Sequence, residues 1–446
     1  MNLDVVLLSR IQFALTIGFH FLFPPISIGL AWLLVIAETV NWRRRDEDYG
    51  RIGKFFARLL GLTFAVGVAT GIVMEFQFGM NWAKYSTFVG DIFGAPLAAE
   101  GVFAFFLESG FLGLYLFGRN RVSRGVHWFS ALMVALGATL SAFWILVANS
   151  WQQTPAGYVI RNGRAELTSF REAVFNPSTF PRFFHTLDAC LISGAFFMAG
   201  IAAFMLLRNR DDGVAGKSMK LAVTVGLVAS VLELFPFGHM QIVQVANTQP
   251  AKFAASEGIY TTRPRTPLVL FGIPADNPPH LRAPVVIPGV VSILLHGDID
   301  APVTGLDKFP EDEIPPLYLP FVSYHTMIGL GMYFIALMAL AAFLLYRKKL
   351  RTNRPALTLL LWSTPLPMIA CELGWIVAEV GRQPWIVYGL LKTRDAYSIT
   401  VSASEVLFSI ILFGTIYLFL GALYIFLVAR EVQRGPEPIN GEASRP

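Results

Sequence analysis

Long apolar runs separated by short polar segments recur along the whole chain. There are nine such runs, and each is long enough to cross about 30 Å of hydrocarbon as a helix. They cover Ile11–Thr39, Phe55–Phe78, Leu97–Phe117, His127–Val147, Phe183–Leu207, Met219–Phe237, Val322–Tyr346, Leu357–Val380 and Val406–Val428. The pattern therefore predicts an all-α fold, a polytopic membrane bundle of about nine transmembrane helices.

The first run is predicted to be a membrane helix rather than a cleaved signal peptide. Asp4 precedes it, it is longer than the apolar core of a signal peptide, and Pro24 and Pro25 interrupt it. A proline pair kinks a helix and frees backbone carbonyls. The kink would leave space beside His20 for a bulky cofactor, although the freed carbonyls would equally satisfy a buried histidine.

Composition and charge agree with a membrane protein and set its orientation. Of the 446 residues, 54% are hydrophobic and only 15% are charged, which is too apolar for a soluble domain of this size. Lysine and arginine gather at residues 43–54, 119–124, 208–220 and 347–354. Because such loops stay in the cytoplasm, the N-terminus is predicted outside and the C-terminus inside. The net charge of +5 reflects this bias and gives no support for a nucleic-acid partner.

One long segment between helices differs in composition from the rest. Residues 238–320 contain many prolines and mixed charges, which predicts an external loop domain with regular helix only in its first part. The chain is thus predicted to divide into six helices at 1–237, the loop at 238–320, three helices at 321–430 and a cytoplasmic tail at 431–446.

A histidine and a methionine lie at the same predicted depth. His185 is in the first turn of the fifth span and Met327 in the second turn of the seventh, so both lie within about 10 Å of the outer surface. Such a pair, facing each other from two helices, can hold a low-spin, six-coordinate haem. The alternative is a hydrogen-bonded histidine at a helix end and a methionine packed in the core.

Three carboxylates within predicted spans also require an explanation, because charged groups in hydrocarbon are costly and mark ion paths or metals. Glu100 and Glu108 lie eight residues apart, about 12 Å along the axis and within about 80° of one face. They predict a proton path, which Ser109 and Ser141 would extend. Glu379, in the last turn of the eighth span, shares the outer layer with the histidines and is a candidate metal ligand.

Five motifs occur in order along the chain. They are Ser9–Leu15 (SRIQFAL), Gly67–Gly71 (GVATG), Met74–Gly79 (MEFQFG), Gly90–Leu97 (GDIFGAPL) and Gly381–Trp385 (GRQPW). Together they resemble the haem-bearing subunit I of cytochrome bd quinol oxidase, over nearly the whole chain. The resemblance implies a terminal respiratory oxidase in a bacterial cytoplasmic (inner) membrane.

The resemblance implies axial ligands for three haem groups. The low-spin haem b would be held by His185 and Met327. A high-spin haem b and a haem d would share His20 and Glu379, and which residue binds which haem stays open. Arg382 of the GRQPW motif would contact a cofactor.

The resemblance also implies a proton route and a second large membrane subunit. Glu100 would lie beside the oxygen-reducing haem, and Glu108, Ser109 and Ser141 would carry protons from the cytoplasm. Small single-helix subunits and membrane lipids are further expected partners.

Quinol would bind at the segment Gln249–Glu257, with Lys252 and Glu257 as polar contacts and Glu257 as general base. Its protons would leave outside, so that charge is separated without a pump.

The sequence departs from the family pattern in two places and leaves two alternatives. The external loop is of the family's short variety, and His325 stands where some relatives carry an arginine two residues before the methionine ligand. A relative with only b-type haems would use the same ligands. A proton-coupled secondary transporter would also need intramembrane acids, but it predicts internal repeats.

Overall fold

The computed structural model describes residues 4–276 and 279–437. These residues form α1 Val5–His20, α2 Pro24–Arg44, α3 Glu47–Met80, α4 Ala83–Ala99, α5 Phe106–Phe117, α6 Arg124–Gln153, α7 Phe170–Val174, α8 Thr179–Leu207, α9 Asp212–Leu232, α10 His239–Thr248, α11 Pro250–Glu257, α12 Val290–His296, α13 Tyr318–Tyr346, α14 Arg354–Trp362, α15 Leu366–Val380 and α16 Ala403–Arg434. A π-helical turn, Glu100–Phe105, continues α4 into α5. The segment Glu233–Gly238 joins α9 to α10 across a kink at Phe235, whose backbone is extended (φ −149°, ψ 123°).

Three antiparallel two-stranded hairpins complete the described fold. They pair β1 Tyr158–Arg161 with β2 Arg164–Leu167, β3 Leu268–Asp276 with β4 Pro279–Ile287, and β5 Trp385–Val387 with β6 Leu391–Lys392. The predicted all-α class is confirmed as the main architecture, and these hairpins were not predicted.

Among the described residues, nine helical segments are long and apolar enough to cross a membrane. This confirms the predicted number. The first segment is broken between His20 and Pro24, as the proline pair predicted. The sixth continues across the kink at Phe235 to Thr248, past the predicted boundary at residue 237.

Close packing places α8 at the centre of the bundle. Its apolar window is 83% buried, and its Gly194 lies against Gly29 of α2. A Cβ added at Gly194 would lie 2.3 Å from the Gly29 carbonyl carbon, a distance that no side chain tolerates. Small residues let membrane helices approach this closely. The contact holds α8, the helix that carries His185, against α2.

The proline-rich loop holds more regular structure than its composition predicted. Helices α10 and α11 lie in its first part, as expected, but the β3–β4 hairpin and the short α12 follow. Prolines 274 and 284 fit within this hairpin because both of its strands are edge strands, where a missing backbone donor is tolerated.

The described part of the predicted tail is tied to α3. Arg58 pairs with Glu431 and Glu437, and Lys54 also pairs with Glu437. Positions 438–446 of the predicted tail lie outside the described residues.

Candidate functional site

His20 ends α1 at the point where the first segment breaks. Its Nδ1 lies 3.0 Å from the hydroxyl of Thr70, which in turn lies 2.9 Å from the Val66 carbonyl oxygen and 3.0 Å from that of Gly67. Because the threonine hydroxyl has one proton and donates it to a carbonyl, it accepts from the His20 Nδ1–H. The Nε2 lone pair is then free to bind a metal.

The GVATG motif therefore supplies both the partner of His20 and the space beside it. A Cβ added at Gly71 would lie 3.1 Å from His20 Cε1, so that a larger residue would crowd the ring. The freed carbonyls at the proline break do not serve as the partner of the ring, since Thr70 does.

Glu379 lies among amides and one arginine at one end of the bundle, the end where α6 and α15 finish and α8 begins. Its Oε1 accepts from Asn149 Nδ2 at 3.0 Å and from Gln153 Nε2 at 3.2 Å. Its Oε2 pairs with Arg382, which also donates to Gln152 Oε1 at 2.7 Å. The carboxylate is held in one orientation, and Oε2 keeps an unused lone pair.

Three buried cations surround this single carboxylate. Arg182, Lys252 and Arg382 are only 6%, 3% and 4% exposed. Arg182 donates to Asn149 Oδ1 at 2.9 Å, and the Lys252 ammonium donates to the Ala378 carbonyl at 2.7 Å and to Gln153 Oε1 at 3.0 Å. Buried charges are normally paired. With Lys252 protonated, this cluster would have an excess of two positive charges, which an anionic group would neutralise.

The environment of Lys252 supports this interpretation. Burial, followed by the positive charge of Arg182, moves the pKa of Lys252 well below its usual range. A bound anion beside the ammonium would restore the charged form.

His185 lies beside a carboxylate from the kink between α9 and α10. Its Nδ1 lies 3.0 Å from Glu233 Oε1, and the Glu233 carboxyl also meets Asp188 on α8. A carboxylate this close to Nδ1 is placed to orient the ring so that Nε2 faces a metal.

Met327 lies in α13 against α15. A Cβ added at Gly374 would lie 3.3 Å from the Met327 sulfur, so the glycine makes room for the thioether. Helices α8 and α13 meet at the Phe196 and Phe334 rings, whose centroids are 4.8 Å apart. Counted from that contact, His185 is 11 residues and Met327 seven residues closer to the end of the bundle at which α8 begins, so their levels differ by about 6 Å.

The predicted acids of the third span both face α6. Ser141 donates to Glu100 Oε1 at 2.7 Å. Glu108 is buried, and a Cβ added at Gly137, one turn from Ser141, would lie 3.0 Å from Glu108 Cβ. Ser109 makes no hydrogen bond to any described residue, so the structure brings together Glu100, Ser141 and Glu108 but not Ser109.

Glu257 ends α11 and points away from Lys252. Its Oε1 accepts from the Tyr324 hydroxyl at 2.7 Å, and its Oε2 is buried without a partner among the described groups. Burial raises the pKa of Glu257 to about 7, and the Tyr324 hydrogen bond lowers it by less. Lys252 instead contacts α6 and α15, so the two predicted quinol contacts do not converge on one described group.

Several residues of these sites were not predicted from the sequence. Glu233 gave a signal, since it is a carboxylate in the sixth span. So did Glu372 of α15, whose Oε2 would lie 3.4 Å from a Cβ added at Gly18, two residues before His20. Thr70 and Asn149 gave no sequence signal, because a single polar residue in a membrane span is common. Tyr324 was likewise indistinguishable from a packing residue.

The arrangement defines a class of protein: a multi-pass membrane protein that carries histidine, methionine and carboxylate groups suited to haem iron, together with three buried basic side chains around Glu379. The family model described as cytochrome bd terminal oxidase subunit I matches residues 8–436. The chain belongs to this family, and it is therefore a haem-bearing, respiratory-chain quinol oxidase subunit. Membership decides against a secondary transporter.

Individual relatives agree with this membership. The chain is 41% identical to cytochrome bd ubiquinol oxidase subunit 1 of Bacillus subtilis (strain 168), over 98% of this chain and 95% of the relative. It is 35% identical to cytochrome bd-II ubiquinol oxidase subunit 1 of Escherichia coli (strain K12), over 98% of each chain. It also matches the structure of bd oxidase from Geobacillus thermodenitrificans with a TM-score of 0.91 at 33% identity, covering 98% of this chain and 100% of the other.

Proposed function

We propose that the chain oxidises quinol at its outer end and reduces O₂ to water, taking the protons for water from the cytoplasmic side. The observation that carries the proposal is the cluster around Glu379, where three buried cations face one carboxylate. Two propionate groups of a haem would supply the missing negative charge. The reduced-minus-oxidised spectrum and haem content of the purified complex test the proposal, and a protein that holds no haem would refute it.

The residues present fit haem in donor type and in orientation. His185 and Met327 would hold the low-spin haem b, while His20 and Glu379 would hold a high-spin haem b and a haem d. Arg382 would contact a propionate and keep Glu379 in place. When bound, these groups would accept electrons from quinol and deliver them to O₂. A relative with only b-type haems remains the alternative, and the same spectrum separates the two.

At the quinol side, Glu257 would accept a proton from the quinol hydroxyl. Its Oε2 is buried and free of a described partner, so it can receive a hydrogen bond, and a carboxylate with a pKa of about 7 is suited to act as general base near neutral pH. Lys252 would act from the other side of α11 by neutralising an anionic group near Glu379.

At the oxygen side, Glu108 and Glu100 would pass protons along the face of α5 and α4 that packs on α6. Ser141 orients Glu100 through its hydrogen bond. The basic clusters at the opposite end support a cytoplasmic proton source, because they predict which end faces the cytoplasm. We place the protein in a bacterial inner membrane with a second large subunit and small single-helix subunits.

Changing Glu108 to Gln is expected to slow turnover about tenfold, which corresponds to about 1.4 kcal/mol in the barrier, with haem content unchanged. The amide keeps the packing on Gly137 but cannot carry a proton. Proton uptake and membrane potential in reconstituted vesicles measure the effect, with Ser109→Ala as the matched control. Normal potential generation by Glu108→Gln would remove this residue from the route.

Changing Glu233 to Gln is expected to weaken binding of the low-spin haem by about 10- to 100-fold and to raise its midpoint potential. The carboxylate makes the His185 imidazole a stronger donor, which favours the oxidised iron. Spectroelectrochemical titration of the low-spin band measures the shift. An unaltered potential and haem content would show that Glu233 does not orient His185.

A further inference from the structure

The β3–β4 hairpin presents an apolar surface that a water-exposed loop would not keep. Six of its large apolar side chains are 40–57% exposed, namely Leu270, Phe271, Ile273, Val285, Val286 and Ile287. Edge strands with exposed apolar side chains are prone to aggregate in water, and apolar patches of this kind mark an interaction surface.

The attachment of the hairpin fixes its depth. The Val269 carbonyl oxygen lies 2.9 Å from His325 Nε2 on α13, and Leu281 of β4 packs beside Phe321. His325 is seven residues past the start of α13, about 10 Å along the axis. Helix α13 has 29 residues and is about 43 Å long, so about 6 Å of it extends beyond each side of a 30 Å hydrocarbon layer. The attachment point is therefore at the boundary of the hydrocarbon, beside the helix rather than above it.

The surface next to the hairpin is also apolar and exposed. The first turns of α13 expose Tyr318, Leu319 and Val322, which the same count places at the edge of the hydrocarbon layer. The hairpin extends this face at the same level. Its exposed Arg282 adds the positive charge that interfacial elements direct towards lipid phosphates.

We propose that the β3–β4 hairpin lies in the bilayer interface at the outer end of the protein, with its apolar side chains in contact with lipid. The hairpin also borders the quinol site, because a Cβ added at Gly258, the residue after Glu257, would lie 2.9 Å from Leu281. This step rests on the proposed function. The hairpin then forms a lipid-facing wall between the bilayer and Glu257, along which a quinol with an isoprenoid tail would approach.

The lipid contact is tested with nitroxide spin labels on the whole complex in phospholipid nanodiscs, without quinol. A label on the Phe271→Cys variant is expected to collide more with O₂, which concentrates among acyl chains, than with a water-soluble nickel chelate. A label on Glu311→Cys, at an exposed position of the same loop, is the control and should favour the chelate. The parent complex, whose Cys190 is buried and Cys371 half-buried, gives the background.

Two results would overturn the proposal. A label at position 271 that favours the chelate would place the hairpin in water. A label shielded from both agents would show that protein, such as a second subunit, covers the surface.

The quinol approach is tested separately with Val285→Ser. We expect a severalfold higher KM for a long-tailed quinol and an unchanged KM for a short-chain, water-soluble quinol. Equal changes for both quinols would refute the approach along the hairpin, while leaving the lipid contact intact. Failure of the proposed function would instead show as quinol oxidation that survives the loss of Glu257.

Discussion

Leucine in place of His185 is expected to abolish the absorption band of the low-spin haem in the reduced spectrum. Leucine has no lone pair that could bind iron, and the half-buried Glu233 carboxylate would lose its contact with His185 at 3.0 Å. Under the proposed ligation, Met327→Leu should remove the low-spin signal as well, because leucine has no thioether sulfur to bind the iron. Electron transfer from quinol should stop in both variants.

The controls are conservative changes at neighbouring exposed apolar positions. Phe184→Leu on α8 and Ile328→Leu on α13 alter exposed apolar side chains and should leave the spectrum unchanged. A low-spin band of normal size in His185→Leu or Met327→Leu would mean that the ligand lies elsewhere.

The nine spans were predictable because hydrocarbon imposes one simple requirement on the sequence. A segment that crosses it must be apolar over about 20 residues and must satisfy its own backbone. The break after His20 was also predictable, because Pro24 and Pro25 lack the donors that a continuous helix needs.

The π-helical turn at Glu100–Phe105 was not predictable in the same way, because the i→i+5 pattern has no strong sequence signature. The kink at Glu233–Gly238 contains Pro236, which marks a break but does not show that the span continues to Thr248. Both segments begin with a carboxylate of the proposed sites. The contact between Glu233 and His185 depends on tertiary packing of α8 against the kink, which no local pattern predicts.

The cluster around Glu379 shows more clearly that contacts between distant segments are not predictable from local sequence. The carboxylate and Arg382 come from one motif, but Arg182, Asn149 and Lys252 come from α8, α6 and α11. Each of these polar residues alone resembles an ordinary helix-end residue at a membrane surface. Only the fold shows that three cations share one buried volume, and so only the fold indicates an anionic group there.

Loss of the Glu257 carboxylate has the second of the two largest expected effects. Glu257→Gln should lower the rate of quinol oxidation by at least about 10²-fold, the usual contribution of a general base, while all haem bands remain. Glu257→Asp should retain part of the activity. Quinol oxidation at the normal rate by Glu257→Gln, with haem content confirmed, would exclude this residue as the base.

The pH dependence of quinol oxidation follows from the raised pKa of Glu257. Burial raises the pKa of Glu257 from its ordinary value of 4.5 to about 7, so the carboxylate that accepts the proton is present above pH 7 and is lost as the pH falls through 7. The rate should therefore rise with pH through about 7. The Tyr324 hydroxyl donates to the carboxylate at 2.7 Å and lowers its pKa.

Tyr324→Phe should consequently raise the pKa of Glu257 further and move the acidic limb of the rate profile to higher pH. Tyr318→Phe, at an exposed position on the same helix, is the matched control and should leave the limb in place. If the limb stays fixed in Tyr324→Phe, or moves to lower pH, another group controls proton release. A limb that moves upward only in Tyr324→Phe would tie the pH dependence to Glu257, because this hydroxyl is the one described donor that lowers the pKa of its carboxylate.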